Sequence, residues 1–216
     1  MTARAGKPKL RFVVTAGPTR EWLDPVRFLS NPSTGKMGFA IAEAAARRGH
    51  EAILIAGPVS LPTPRGVERI DVETAREMQA AVKKTLARSD PANTVFISAA
   101  AVADWRPART ASKKLKKSEM DGVLRLVRNP DILKSIRGFR KVGFAAETGN
   151  ALREAARKLE SKNLEMIVAN DVTEKGAGFG TDTNRVVILK RGAAPERLPL
   201  MSKKAVARAI VAGCEK

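Results

Sequence analysis

Leu10-Arg11-Phe12-Val13-Val14-Thr15-Ala16, closed by Gly17-Pro18, then Lys36 to Arg48 with Gly49 after it, then Ala52-Ile53-Leu54-Ile55-Ala56, form the stretch from which the fold is read. The two short apolar runs have the pattern of strands buried on both faces, and Gly-Pro is a stop signal. Between them, Met37, Ala40, Ile41, Ala44 and Ala45 fall on one face of an Ala-rich helix that Gly49 ends. Strand, loop, helix, glycine, strand is a βαβ unit, with parallel strands and a right-handed crossover. Working outward, Gly57-Pro58, Pro62 and Pro64 mark a long irregular connection. Thr74 to Arg88 predicts a helix, with Thr74 as N-cap and Glu77 in the capping-box position. Thr94 to Ala100 reads as a third buried strand, and Lys141 to Ala145 and Glu165 to Ala169 as two more, flanking a helix over Ala151 to Lys162. Thr183 to Lys190 alternates weakly, as a hairpin arm does, and Lys203 to Ala212 predicts a closing helix. Residues 1–9 read as a disordered basic tail. The expected fold is α/β: a Rossmann-like, doubly wound, mainly parallel sheet with helices on both faces, in a single domain over residues 10–216.

Composition narrows the chemistry. The 216 residues are 44% hydrophobic but only 4% aromatic, so the core must come from Ala, Val, Leu and Ile. Forty Lys+Arg against 22 Asp+Glu leave a net charge of +18, which points to anionic partners. That balance alone does not separate nucleic acid from phosphorylated small molecules. A single cysteine (Cys214) and a single histidine (His50) exclude an intrachain disulfide framework and Cys/His zinc sites. A Ser-His-Asp triad would have only His50 to use, and Arg47-Arg48-Gly49-His50-Glu51 reads as a surface turn. Uncharged runs such as Ala92 to Ala103 are too short to span a bilayer, and Phe12 to Ala16 is too short for a signal peptide. A soluble, cytoplasmic protein is expected, with no membrane partner.

Several constellations carry possible chemistry. Asn31-Pro32-Ser33-Thr34-Gly35-Lys36-Met37-Gly38 opens the first helix, where unpaired N–H groups and the positive end of the dipole suit a phosphate. It is neither a Walker A loop nor GxGxxG, and a plain capped helix has the same pattern. Ser98-Ala99-Ala100-Ala101-Val102-Ala103-Asp104 ends a strand in small residues over which a ligand can lie, with an acid beyond for a ribose hydroxyl; a strand followed by a capped turn reads the same way. From Arg106 to Arg128 there are eight Lys/Arg against two Asp/Glu, centred on Lys113-Lys114-Leu115-Lys116-Lys117. That run is either a solvated face or a mobile basic lid over a polyphosphate. Gly143-Phe144-Ala145-Ala146-Glu147-Thr148 and Asn170-Asp171 each follow a strand, and Lys158 and Lys162 share one helical face.

These blocks, taken in order, resemble phosphopantothenate–cysteine ligase of the bacterial CTP-dependent type. The residues that carry the resemblance are Gly17-Pro18-Thr19-Arg20-Glu21, Leu23-Asp24-Pro25-Val26-Arg27, Ser30-Asn31 and Ser33 to Gly38. To these are added Ala100 to Asp104, Lys114 to Lys117, Asn129-Pro130-Asp131-Ile132, Gly143 to Thr148 and Ala169-Asn170-Asp171. They cover nearly the whole chain, from about residue 10 to 213. The resemblance implies ligation of 4′-phosphopantothenate to L-cysteine in coenzyme A synthesis. The carboxylate attacks the α-phosphate of CTP, pyrophosphate leaves, and the cysteine amine displaces CMP from an acyl-cytidylate. Mg²⁺ is implied as a companion of the phosphates, without assigned protein ligands.

By carry-over onto matching positions, Asn31 and Lys114 are the catalytic residues, Asn31 holding the acyl-cytidylate, and Arg27, Ser33, Thr34, Gly35 and Lys36 meet 4′-phosphopantothenate and its phosphate. Ser98, Ala99, Ala100 and Phe144 frame the cytosine, Asp104 the nucleoside, and Lys114 leads the basic lid. Val127, Arg128, Asn129 and Pro130 line the nucleotide site, and Lys158 and Lys162 approach the triphosphate. A homodimer is implied, with Arg27 at or across its interface. Many relatives carry a flavin-dependent phosphopantothenoylcysteine decarboxylase upstream; no flavin is expected in this chain, and the decarboxylase is a partner, either fused or separate. Two other classes compete. A Rossmann-like nucleic-acid-binding module accounts for the charge, but its basic residues lack aromatic interleaving. An NAD(P)-dependent oxidoreductase lacks GxGxxG after the first strand.

Overall fold

The computed structural model describes residues 9–119, 122–148, 151–171, 173–174 and 176–215. Of the basic tail expected at residues 1–9, all but Lys9 lies outside the described residues.

The βαβ unit forms as its pattern requires. Strand β1 (Arg11–Ala16) is buried from Phe12 onward. The loop after it carries a bulged hairpin, β2 (Arg20–Asp24) and β3 (Arg27–Ser30). Helix α1 (Lys36–Arg47) follows, entered through Gly35 at φ 77°. The chain leaves through Gly49 at φ 84°, a left-handed conformation that costs glycine no Cβ clash. Strand β4 (Glu51–Ala56) then lies parallel to β1, with Val13 opposite Ile53.

Strand β5 (Val67–Asp71) corrects the expectation of a wholly irregular connection after β4. It pairs parallel to β4, Ile70 opposite Ile55. As the edge of the sheet it needs only Val67 and Ile70 inward, and its charged residues hide it from a search for apolar runs. Helix α2 (Ala75–Leu86) starts on the expected box: Thr74 Oγ1 accepts from the Glu77 N–H at 3.2 Å, and the Glu77 carboxylate accepts from the Thr74 N–H at 3.4 Å.

Strand β6 (Thr94–Ser98) is followed by a two-stranded ribbon, β7 (Trp105–Pro107) with β8 (Leu126–Arg128), and a short helix α3 (Ile132–Ser135). Then come β9 (Arg140–Glu147), α4 (Ala151–Ser161) and β10 (Met166–Asp171). The last part holds β11 (Thr183–Asn184), β12 (Val187–Lys190), β13 (Glu196–Arg197), β14 (Met201–Ser202) and α5 (Lys203–Cys214).

The main sheet runs β13-β12-β10-β9-β6-β1-β4-β5. From β5 to β10 all pairings are parallel, while β12 and β13 are antiparallel additions. The parallel part has the strand order 3-2-1-4-5-6 of doubly wound sheets, reversing between β1 and β6. Alternation within β1 shows how both faces are covered. Phe12, Val14 and Ala16 pack with Ile41 and Ala45 of α1 and Val206 and Ile210 of α5. Val13 faces the other way, into a cluster with Met78 and Val82 of α2 and Ala155 and Leu159 of α4. Small residues let α1 lie close: a Cβ at Gly38 would stand 2.5 Å from Ala16 Cβ.

His50 corrects another expectation. It is only 8% exposed rather than on a surface turn. Its Nδ1 accepts from the Leu10 N–H at 3.2 Å, which puts the proton on Nε2, and Nε2 lies 2.9 Å from Glu215 Oε1. The histidine therefore ties the start of β1 to the end of α5 and stands apart from the sheet's carboxyl edge.

Candidate functional site

Ligands of doubly wound sheets bind outside the carboxyl ends of the strands, where the strand order reverses. Here that crevice lies between the loops after β1 and β6, which are joined by backbone. The Ala99 N–H donates to Thr15 O at 3.2 Å and the Ala101 N–H to Gly17 O at 2.9 Å. Pro18 and Ala101 form an isolated parallel bridge. Side chains brace the joint: Thr19 Oγ1 accepts from the Ala103 N–H at 3.0 Å, and Asn31 Nδ2 donates to Ala101 O at 3.1 Å.

Two cavities open at this edge. The first, about 140 Å³, is bordered by Ser33 to Lys36 at the start of α1 and by Ala99 to Ala101, Phe144 and Asn170. Helix α1 begins there without a side-chain cap, so its first-turn N–H groups are left for a ligand. The second, about 250 Å³, is bordered by Ser98, Asp104, Asn129, Pro130, Asp131 and Lys162. Ala100 and Phe144 belong to both walls and form the ridge between them.

The second cavity is held by local bonds. The Asn129 N–H donates to Asp104 O at 2.8 Å and Asn129 Nδ2 to Ala103 O at 2.9 Å. Lys162 pairs with Asp131 at 2.9 Å. Burial works against the Asp131 charge, but the Lys134 N–H and the Lys162 ammonium outweigh it and hold that carboxyl below its ordinary value. At the first cavity, Lys36 Nζ donates to Asp182 and to Gly180 O, each at 2.8 Å. That bond holds the Asp182 carboxyl below its usual range.

The site residues expected from sequence therefore divide. Ser33, Thr34, Gly35, Lys36, Ala99, Ala100 and Phe144 converge on the first cavity. Ser98, Ala100, Asp104, Asn129, Pro130, Phe144 and Lys162 converge on the second. Asn31 borders neither but anchors the Ala101 wall. Lys158 pairs with Glu147, the last residue of β9, at 2.6 Å. Val127 and Arg128 lie in the ribbon, with the Arg128 guanidinium 5.3 Å from the Trp105 ring centroid.

Lys114 sits in a third hollow, formed by Arg109 to Leu115 against Leu23, apart from both cavities. The backbone of that loop is docked on the β2–β3 hairpin rather than loose. The Ala111 N–H donates to Leu23 O at 2.8 Å, and Arg27 donates to Leu115 O at 2.7 Å. Arg27 also pairs with Asp24 at 2.6 Å, and with the Val26 and Leu115 N–H groups it holds the Asp24 carboxyl far below the ordinary carboxylate range. Met120 and Asp121 of the basic loop lie outside the described residues.

Residues that no sequence motif singled out also border the first cavity: Phe179, Asn184 and Lys203. Asn170 had its place in an ordered block, but Asn184 lies in a two-residue strand and Lys203 opens the expected closing helix, and neither carries a local binding motif. Neither His50 nor Cys214 borders either cavity. Such an arrangement works by positioning and by stabilising anionic oxygens, not by an imidazole or thiolate. Among the described residues, no three His, Cys, Asp or Glu side chains converge to hold a metal.

Comparison with known proteins settles the family. A family model described as the DNA/pantothenate metabolism flavoprotein C-terminal domain matches residues 8–216. The chain belongs to that family. Within it, the coenzyme A biosynthesis bifunctional protein CoaBC of Vibrio cholerae is 47% identical over 209 residues, 93% of this chain and 51% of the relative. CoaBC of Escherichia coli K12 is 50% identical over 183 residues, 81% of this chain and 44% of the relative. The chain thus spans about half the length of the curated relatives it matches. A crystal structure of the C-terminal domain of CoaBC superposes with a TM-score of 0.79 at 41% identity, covering 95% of this chain and 94% of that one. The flavoprotein C-terminal domain has the expected doubly wound architecture. No helix among the described residues is long and apolar enough to cross a membrane.

Proposed function

We propose that this domain is a phosphopantothenate–cysteine ligase that activates the carboxylate of 4′-phosphopantothenate with CTP and passes the acyl group to L-cysteine. The observation that carries the reading is that an anion-suited cavity at the start of α1 and a second cavity carrying Lys162 and two carboxylates meet at Ala100 and Phe144. One substrate's phosphate lies at the start of α1, and the nucleotide lies beside Asp104, Asn129 and Lys162. The carboxylate and the α-phosphate then meet over the ridge of Ala100 and Phe144. The names of the relatives, which concern coenzyme A biosynthesis, support the same pathway, and the cytoplasm is part of the same reading.

The chain's own contribution is orientation and charge. The first turn of α1 holds the substrate phosphate. Asn31, with one amide hydrogen on Ala101 O, has its remaining polar atoms to fix the acyl group. Lys162 and Lys158, now paired with Asp131 and Glu147, exchange partners for the triphosphate. The second cavity offers two carboxylates, Asp104 and Asp131, which suits Mg²⁺ held mainly through nucleotide phosphates. Bound Mg²⁺ would neutralise phosphate charge there.

A homodimer is part of the proposal. Val26, Phe28, Trp105 and Leu126 are exposed on the two ribbons β2–β3 and β7–β8, an apolar surface that a second copy would cover. A phosphopantothenoylcysteine decarboxylase, fused or separate, is the partner that consumes the product. The test supplies phosphopantothenate and cysteine with CTP or with ATP and follows pyrophosphate and the nucleoside monophosphate. Release of CMP that requires both substrates supports the reading; no pyrophosphate from either nucleotide overturns it.

A further inference from the structure

Lys203 and Asn184 line the first cavity opposite the start of α1, and neither is explained by the fold. Asn184 is 5% exposed, yet its Oδ1 has no hydrogen-bond partner. A buried acceptor left unpaired is costly, so such atoms are retained where something else supplies the donor. Lys203 is 8% exposed and its ammonium makes one long hydrogen bond, to Gly178 O at 3.3 Å, although it carries three donors. Burial first, and then the nearby Lys36, push its pKa down, and the Asp182 carboxylate offsets them only in part, so the folded protein disfavours this charge until a further anion approaches it. Lys36 is already committed, to Asp182 and Gly180 O. Lys203 is therefore the cation with donors to spare, next to an uncapped helix end.

A carboxylate alone would satisfy Lys203 but brings no donor for Asn184. An amino acid does bring one, its amine, but in this reaction the amine is the nucleophile and must point at the acyl carbon. A phosphate monoester with a hydroxyl a few bonds away meets both demands, and 4′-phosphopantothenate has that pattern. We propose that Lys203 and Asn184 are positioning residues for the acid substrate, Lys203 donating to its phosphate together with the α1 N-terminus and Asn184 Oδ1 accepting from its pantoate hydroxyl. This rests on the ligase reading and extends it to two residues outside every sequence block.

The experiment is calorimetry and steady-state kinetics on the wild type, Lys203→Met and Asn184→Leu. The ligands are 4′-phosphopantothenate, its dephosphorylated form and an analogue lacking the hydroxyl. Lys203→Met is expected to weaken phosphopantothenate binding about ten- to a hundredfold, the range for a hydrogen bond to a charged group. The dephosphorylated form should bind it no worse than it binds the wild type, and KM for CTP and for cysteine should stay put. Asn184→Leu should weaken the natural substrate but not the analogue without the hydroxyl. Neither variant should melt lower, since one loses a disfavoured buried charge and the other an unpaired acceptor. Unchanged phosphopantothenate affinity, a rise in the KM for cysteine instead, or a large fall in both melting temperatures overturns the assignment. A wild type that does not bind phosphopantothenate at all overturns the ligase reading itself.

Discussion

Replacing Gly57 by alanine tests how tightly the wall of the first cavity is held. Gly57 follows β4, and its backbone is not in the left-handed region, so space alone decides the outcome. An added Cβ would stand 1.7 Å from Pro18 O and 2.9 Å from Pro18 C. Real Cβ contacts do not fall below 3.0 Å, so the Pro18 peptide must retreat by at least about 1.3 Å. It has little freedom to do so. Gly57 N–H donates to Ala16 O at 2.9 Å, and Pro18 bridges Ala101, whose carbonyl holds Asn31. The displacement is passed to Ala101 and Asn31. Overpacking of this kind costs about 1–3 kcal/mol, and one strained buried hydrogen bond adds about 1. At roughly 3 kcal/mol, a domain of this size melts about 6–12 °C lower. A misplacement of about 1 Å costs on the order of 10²-fold in turnover. Gly57→Ala should therefore lose ligation well below its melting temperature. Gly49→Ala is the control: at φ 84° it is strained by about 1–2 kcal/mol, but its Cβ meets nothing within 4 Å, and turnover should persist. Gly57→Ala that melts within about 2 °C of wild type, or ligates like it, refutes the argument.

Other outcomes follow from features already described. Asn31→Asp replaces two amide donors, one of them bonded to Ala101 O, by a carboxylate facing an anionic intermediate. The variant should melt somewhat lower for the lost bond, and ligation should fall about 10²-fold or more at temperatures where it is fully folded; wild-type turnover would remove Asn31 from the mechanism. Lys114→Gln leaves the docked backbone alone, so stability should hold while CTP-dependent ligation and CTP protection of the loop from trypsin both drop; a variant that ligates normally and shows unaltered cleavage marks Lys114 as a solvated surface charge. Burial pushes the Cys214 thiol up to about 12, so iodoacetamide at pH 8 should label it only in denaturant, and rapid labelling of the native protein would contradict its burial. The Asp24 carboxyl, bound to Arg27, should remain ionised in the folded protein as pH falls through the ordinary carboxylate range. Its contribution to stability, full above that range, should be lost progressively from there, where the unfolded chain takes up the proton, down through the lower value of the folded group; a carbon-13 titration showing an ordinary carboxylate breaks the link between hairpin and basic loop.

Local physics explains which parts of the molecule could be read in advance. Thr74 and Glu77 specify their helix start within four residues, so the capping box was visible before any tertiary contact was known. The buried strands β1, β4 and β6 declare themselves because both faces must be apolar. Strand β5 does not, because an edge strand can expose Glu68 and Asp71 and lay the half-buried Arg69 over the Phe39 ring. His50 misleads because its neighbours in sequence are charged, while its neighbours in space are Leu10, Phe12 and Glu215. The place of the α1 entry and the β6 exit at the crevice was legible, since strand-end position and small residues are sequence properties. Asn184 and Lys203 were not. They reach the cavity only because the two-residue strands β11 and β14 pair, and nothing within either segment encodes that meeting.

The low ridge between the two cavities bears on inhibition. Each cavity alone, at about 140 and 250 Å³, is smaller than the roughly 300 Å³ at which drug-sized sites begin. A compound confined to either one runs out of surface before it becomes tight. Because Ala100 and Phe144 line both, the chambers adjoin, and a single molecule that spans this shared wall can place a head in each. Tethering makes the second engagement intramolecular and raises avidity by about 10²–10⁴ when the span is right. A larger side chain at residue 100, isoleucine or leucine, would raise the barrier to such a linker and, on the proposed ligase reading, to the reacting groups alike.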